Sequence, residues 1–263
     1  MVTIYQDYDD EPKDIFYPLP ERLACEFYAL EMNGYRADVD FFEPLLPRQG
    51  NFLELGCGTG RITSKLAGPG RFVMGIDISI PMLQMATQGQ RPSDDSAFYL
   101  CMDMVQLAFS AKFDAILIPY NTLNLLGSEG RILQCLKGCK NSLRTGANLQ
   151  VQLFIPTDDF IRQQKTFQFQ MFDRPGGGKI IKEILKQYDS ESTSVHIEER
   201  FRVRPSQAGE AKEDWNSCYT IAGFSADQWL SIFSTAGFTP TKICGDYSHN
   251  PYHSSSSSSL LAT

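Results

Sequence analysis

The chain has 263 residues, 42% of them hydrophobic, and a formal net charge of −7. That length and apolar content suit one large α/β domain carrying an insertion and exclude a disordered chain. The acidic balance argues against general nucleic-acid binding, which needs a basic footprint, and no apolar run approaches the roughly 20 residues that cross a bilayer.

The acidic start, MVTIYQDYDDEPKD, matches neither a signal nor a transit peptide, so a cytoplasmic protein is expected. Residues 1–50 read as a helical segment rich in aromatics: Tyr5, Tyr8, Phe16, Tyr17, Phe27 and Tyr28. Such a segment either closes over a ligand as a lid or docks against a sheet by its apolar side.

From residue 51 the pattern alternates. Residues 51–56 (NFLELG) read as a buried strand, 59–67 as a helix and 71–77 (RFVMGID) as a second strand. Ser79 can cap the next helix, with Pro81 in its first turn, where a missing N–H costs nothing. Residues 97–101 and 113–119 (FDAILIP) are the third and fourth strands. Residues 128–143 place Ile132, Leu136, Cys139 and Leu143 on one stripe of an amphipathic helix, and 148–155 (NLQVQLFI) form a fifth strand. This alternation predicts an α/β fold with a doubly wound, mostly parallel sheet covered on both faces.

Residues 157–222 break the rhythm. TFQFQMF alternates, PGGG signals a turn, and SVHIEERFRV sets Val195, Ile197, Glu199, Phe201 and Val203 against His196, Glu198, Arg200 and Arg202. KIIKEILKQY fits a helix or a strand; the Gly-rich and Ser/Asp-rich turns that bracket it favour a strand. The segment reads as an antiparallel β insert, able to serve as a substrate lid or a dimer interface. The α/β rhythm resumes with Ser225 and Gln228 as a capping-box pair. A buried stripe follows at Trp229, Ile232, Phe233 and Ala236, and Gly237 ends the helix. Residues 239–247 are expected to form another strand. The six serines at 254–259 read as a disordered tail or as a loop into a last edge strand, SSLLAT. The expected organisation is therefore an N-terminal segment (1–50), an α/β domain (51–156 and 223–263) and the insert (157–222).

NFLELGCGTGRI places glycines at 56, 58 and 60 between a first strand and its helix. A bare turn there lets a ligand touch the backbone, next to the free N–H groups of a helix N-terminus. Dinucleotide sites use GxGxxG, whose third glycine is replaced here by Arg61. Glu54, just ahead of the loop, would repel a pyrophosphate and suits a ligand carrying an ammonium group. Asp77 closes the second strand, where a carboxylate can accept both ribose hydroxyls. Asp103, in CMDM, can meet an adenine edge or cap a helix. Seven cysteines occur without a CxxC pair, and His196, His249 and His253 form no metal-spaced cluster. Reduced, mostly buried thiols and no metal are expected.

LELGCGTGR, GIDIS, CMDM and FDAILIPYNTLNLL resemble, in order and spacing over about residues 51–156, the motifs of class I S-adenosylmethionine-dependent methyltransferases. The β-rich insert after the fifth strand is similar to that of small-molecule members such as amino-sugar and glycine/sarcosine N-methyltransferases. The resemblance implies a seven-stranded Rossmann-like sheet, with GDYSHNPYH and SSLLAT as its final antiparallel hairpin. It implies S-adenosyl-L-methionine as cofactor and S-adenosyl-L-homocysteine as product. Gly56, Cys57, Gly58 and Gly60, with Arg61 next, would lie along the methionine part and the ribose. Glu54 would hold the loop and the ammonium end, Asp77 the ribose, and Ile78, Asp103 and Met104 the adenine. Met82 would pack on the adenine or belong to the core.

By the same comparison, Pro119 and Tyr120 would border the sulfonium. Tyr120 and Asn124 are the candidate catalytic residues, and Tyr17, Tyr28, Asn121, Trp215 and His249 the candidate substrate contacts. PYNTLN departs from the motif of enzymes that methylate nucleic-acid bases. Related small-molecule enzymes often carry histidine near position 124, where this chain has Asn124, which leaves positioning by an amide. Methyl transfer to an amine nitrogen by in-line displacement is the expected activity, with proximity and orientation as the source of rate. The alternatives are transfer to a hydroxyl or carboxyl oxygen, a non-catalytic binding protein of this fold, or an NAD-dependent oxidoreductase. A small-molecule partner is expected, with no nucleic acid or membrane partner, and a homodimer through the insert is the further expectation.

Overall fold

The computed structural model describes residues 3–4, 15–89, 97–206, 212–254 and 256–262; Tyr5, Tyr8 and Ser255 of the readings above lie outside them. In chain order, strands β1 (Thr3–Ile4) and β2 (Ile15–Pro18) precede helices α1 (Glu21–Glu31) and α2 (Ala37–Phe42). Next come β3 (Gly50–Leu55), α3 (Arg61–Leu66), β4 (Arg71–Asp77), α4 (Ile80–Gln88), β5 (Ala97–Cys101) and β6 (Phe113–Ile118). Helix α5 (Glu129–Ser142) leads into β7 (Leu143–Phe154), and α6 (Asp158–Gln163) into β8 (Lys165–Asp173), β9 (Lys179–Asp189), β10 (Ser194–Arg204) and β11 (Glu213–Ala222). Helix α7 (Ala226–Thr235), β12 (Ile243–Cys244) and β13 (Ser259–Ala262) follow. The chain divides into two units, residues 34–159 with 221–263, and residues 1–33 with 160–220.

The first unit is built on a seven-stranded sheet of order β12-β13-β7-β6-β3-β4-β5. Strands β3 to β7 are parallel, and β13 runs antiparallel between β7 and β12. Alternation along β3 sends Leu53 and Leu55 to one face, where they join Ile116, Ile118, Leu136, Trp229 and Ile232 under α5 and α7. Phe52 goes to the other face with Val39, Phe41, Phe42, Ile62 and Leu66 of α2 and α3. Helix α7 starts on the capping box, with Ser225 and Gln228 each satisfying the other's backbone.

The chain winds outward from β3 through β4 to β5, then returns to place β6 on the other side of β3. Open α/β sheets present a crevice at the carboxyl ends of their strands where the winding reverses. Here that point is the end of β3 and β6, followed by residues 56–60 and 119–124.

The second unit is a six-stranded sheet of order β1-β2-β11-β10-β9-β8, in which β2 runs parallel to β11 and the β1–β2, β10–β9 and β9–β8 pairs are antiparallel. KIIKEILKQY is strand β9, fully paired to β10 and β8. Helix α1 lies on this sheet, with Phe27 packed on Phe201 at 5.1 Å beside Ile180 and Val203.

Several expectations need correction. Residues 15–18 form a strand, and residues 34–50 belong to the α/β unit because Val39, Phe41, Phe42 and Leu46 fill its core. The strand expected over 239–247 shrinks to Ile243–Cys244. Strand β7 starts at Leu143 rather than 148. SSLLAT contributes β13, which is an inner strand because β12 covers its outer side. Among the described residues, no helix is long and apolar enough to cross a membrane.

Candidate functional site

The loop after β3 turns sharply into α3. Gly56 and Gly60 have φ of 67° and 74°, in the left-handed region that other residues avoid. Space imposes the same choice: a Cβ on Gly56 would collide with Thr122, and one on Gly60 with the Tyr99 ring. Main-chain bonds fix the loop, from Cys57 N to Ile76 O (3.0 Å) and from Gly60 N to Cys57 O (2.9 Å). The buried Cys57 side chain points under it, and burial pushes that thiol up.

Three acids surround the loop in different states. Glu54 is 2% exposed and accepts a 2.5 Å hydrogen bond from Thr63 Oγ1 of α3. Burial pushes its carboxyl up from 4.5 to about 8, against the opposing pull of Thr63 and Arg61. Asp77 uses one oxygen to accept from Gly58 N (2.8 Å) and the other from Ser79 N (2.9 Å), so it joins the glycine loop to the start of α4. Each oxygen keeps acceptor capacity. Asp103 accepts from Val105 N (2.9 Å) through one oxygen as the cap of a short 3-10 turn, and its other oxygen faces Arg131 at 3.9 Å. Next to Asp77, Ile78 is 70% exposed. Met82 is half-buried on α4, and Met104 packs against the core.

Arg61 does not extend into the crevice as a ligand-binding side chain. Its guanidinium forms a two-pronged pair with the fully buried Asp38 (2.8 and 2.5 Å) and donates to Tyr35 O (3.1 Å). Around that pair stand three tyrosines. The Tyr35 ring meets those of Tyr120 (6.3 Å) and Tyr247 (6.4 Å) edge-on. Gln152 of β7 accepts from both Tyr120 N (2.8 Å) and the Tyr247 hydroxyl. Burial raises the phenols of Tyr35 and Tyr247 above the ordinary tyrosine value. Sequence reading missed Asp38, Tyr35, Gln152 and Tyr247. The available signal was an acid, Asp38, one helical turn from Phe41 and Phe42 on an otherwise apolar side of α2.

Tyr120 and Asn121 follow the buried Pro119 with φ of 52° and 60°, a left-handed pair that swings the chain away from β6. Tyr120 is 38% exposed, whereas Asn121 Oδ1 is buried without a hydrogen-bond partner. Asn124 is the main correction. It is fully buried; its Nδ2 donates to Phe154 O (3.0 Å) and Ala222 O (2.8 Å), and its Oδ1 accepts from Phe154 N (3.1 Å). The amide clamps the backbone at Phe154 and Ala222. His249 is exposed, its ring tilted against that of Phe41 at 4.5 Å with Lys242 at its Nδ1 (3.2 Å). Tyr17, Tyr28 and Trp215 belong to the other unit, where Tyr17 meets Trp215 edge-on at 6.2 Å. Among the described residues, no group of three or more His, Cys, Asp or Glu side chains is arranged to hold a metal ion.

Residues 52–146, which span β3 to β7 and this loop, match the family model described as a methyltransferase domain. The chain carries a methyltransferase domain. The chain is 37% identical over 98 residues to the putative methyltransferase YqeM of Bacillus subtilis (strain 168), covering 37% of this chain and 39% of that one. The chain spans about two fifths of the length of the curated relatives it matches, from 36% to 44%. The fold extends beyond the methyltransferase domain. The CcbJ methyltransferase from Streptomyces caelestis superposes with a TM-score of 0.72 at 19% identity, over 86% of this chain and 92% of that one. CalS10, an amino pentose methyltransferase from Micromonospora echinaspora solved with S-adenosylmethionine bound, superposes at 0.69 and 19% identity, over 90% and 95%.

Two outcomes check this account of the methyltransferase domain. The folded-state pKa of Glu54 lies above its ordinary value, so its contribution to stability is intact below pH 4.5 and is lost as pH rises through about 8. Glu54→Gln does not titrate. Its unfolding free energy from urea titrations should gain on the wild type's between about pH 5 and about pH 9, by up to a few kcal/mol; parallel curves would contradict the burial argument. Asn124→Ala removes the three hydrogen bonds to the Phe154 and Ala222 backbones and should cost roughly 2–4 kcal/mol of unfolding free energy. A loss below about 0.5 kcal/mol would show that the clamp carries nothing.

Proposed function

We propose that the protein is an S-adenosylmethionine-dependent methyltransferase acting on a small molecule, with an amine nitrogen as the acceptor. The observation that carries the reading is the pairing of a bare glycine loop with Asp77 at the point where the sheet's winding reverses. The residues present fit the cofactor. Gly56 and Gly60 leave a cradle without side chains, Asp77 offers acceptors suited to ribose hydroxyls, and Ile78 offers an exposed apolar surface suited to adenine. Glu54 lies under the loop as a carboxyl poised to ionise beside a cation, which suits an ammonium group and not a pyrophosphate.

When bound, the cofactor supplies a methyl group on a sulfonium cation, already activated. The task left to the chain is to bind, orient and exclude water, and orientation alone can supply roughly 7–11 kcal/mol. The left-handed turn at Tyr120 and Asn121, held by Gln152, offers two groups beside the loop: an aromatic ring and the Oδ1 of Asn121, an acceptor that needs a donor. An amine N–H meets that need. The raised phenols of Tyr35 and Tyr247 hold their protons at neutral pH and make poor bases. That favours an acceptor already nucleophilic when neutral over an alcohol that must be deprotonated. CalS10 is named as an amino pentose methyltransferase, which agrees with an amine.

Titration calorimetry should show binding of S-adenosylhomocysteine and none of NAD. Asp77→Ala should weaken that binding by about tenfold to a hundredfold, the equivalent of one charged hydrogen-bonding partner. Product formation with a panel of small amines and matched hydroxy compounds should favour the amines. No binding of S-adenosylhomocysteine would overturn the cofactor reading, and turnover confined to hydroxy compounds would overturn the acceptor.

A further inference from the structure

The six-stranded sheet ends on β8, and this edge is built unlike a protected one. Edge strands are commonly blunted by proline, a bulge or a central charge. Strand β8, KTFQFQMFD, has none of these, and its charges stand only at its two ends. On its outer face Phe167, Phe169 and Met171 are 65%, 59% and 52% exposed.

The main chain of the same residues is directed outward. Gln164 O accepts from Tyr188 N (2.9 Å), and the register continues with Lys165 opposite Gln187. Alternation along an antiparallel ladder then turns the even-numbered residues of β8 toward β9. The N–H and C=O groups of Lys165, Phe167, Phe169, Met171 and Asp173 point away from the sheet.

Turned end for end about Phe169, the strand complements itself. Lys165 falls opposite Asp173, Phe167 opposite Met171, and Gln168 opposite Gln170. We propose that β8 pairs antiparallel with β8 of a second copy of this chain about a two-fold axis at Phe169, joining the two sheets edge to edge. Ladder bonds form between the outward-directed residues, and the Phe169 rings meet on the axis. Asp173, paired at 2.8 Å with Lys179, gains Lys165 as a second cation. Two chains of net charge −7 repel at a distance, so the local match sets the register and the apolar residues supply the affinity. The inference does not depend on the proposed activity.

Sedimentation velocity on the full chain over a concentration series tests it. The wild type should run as a dimer of 29.6 kDa chains. Phe169→Lys places two like charges at the axis and should give a monomer with an unchanged circular dichroism spectrum. Lys165→Asp and Asp173→Lys should each weaken the dimer by roughly three- to tenfold, and the double variant should recover most of that loss. A wild type that stays monomeric, a dimer indifferent to Phe169→Lys, or a double variant no better than its parents would each overturn the proposal. The charge-swap series decides the matter even if Phe169→Lys fails to fold.

Discussion

The carboxyl edge of the parallel sheet depends on one steric constraint. The chain must leave β3 and enter α3 through space already occupied by Thr122 and Tyr99, so Gly56 and Gly60 can carry no side chain. The bareness that invites a ligand is therefore imposed first by the protein's own packing. Once the turn is set, Asp77 captures one of its N–H groups, Gly58 N, from the neighbouring strand. Glu54 lies beneath, held by Thr63 of the helix that the turn begins. The loop, the acids and the helix start are thus one mechanical unit, in which disturbing any part moves the others.

Periodicity made the frame readable in the sequence. The parallel strands, α5 and α7 each have a stripe or a buried run that only one arrangement can cover, and KIIKEILKQY was resolved by the turns on either side of it. Readings failed where a partner distant in sequence decides. Residues 239–247 have strand-like composition, yet only Ile243 and Cys244 find β13 to pair with. Ile15–Pro18 looked like part of a helical segment because its neighbour, β11, lies about 200 residues further on. Local propensity is a weak guide in such places, because a strand exists only where another offers it a ladder.

The site shows the same division. Motif residues near the glycine loop lie where spacing put them, but the fate of individual polar groups was hidden. Arg61 stands beside the loop and turns inward because Asp38, 23 residues earlier, sits fully buried and needs its charge matched. Asn124 follows a strand end, where substrate contacts are common, yet bonds to residues 30 and 98 positions away consume its amide. No periodicity reports which of two outward-looking side chains will be recruited by distant backbone.

That recruitment has an architectural consequence. The chain quits the α/β unit soon after Phe154 and returns to it at about Ala222, and one amide, that of Asn124, grips the carbonyls of both residues. Departure and re-entry are thereby stapled side by side, so what lies between them is, for the α/β unit, a long excursion whose two feet stand on the same spot. A module plugged in this way can be lengthened, shortened or exchanged over evolutionary time while the sheet beneath it keeps its register.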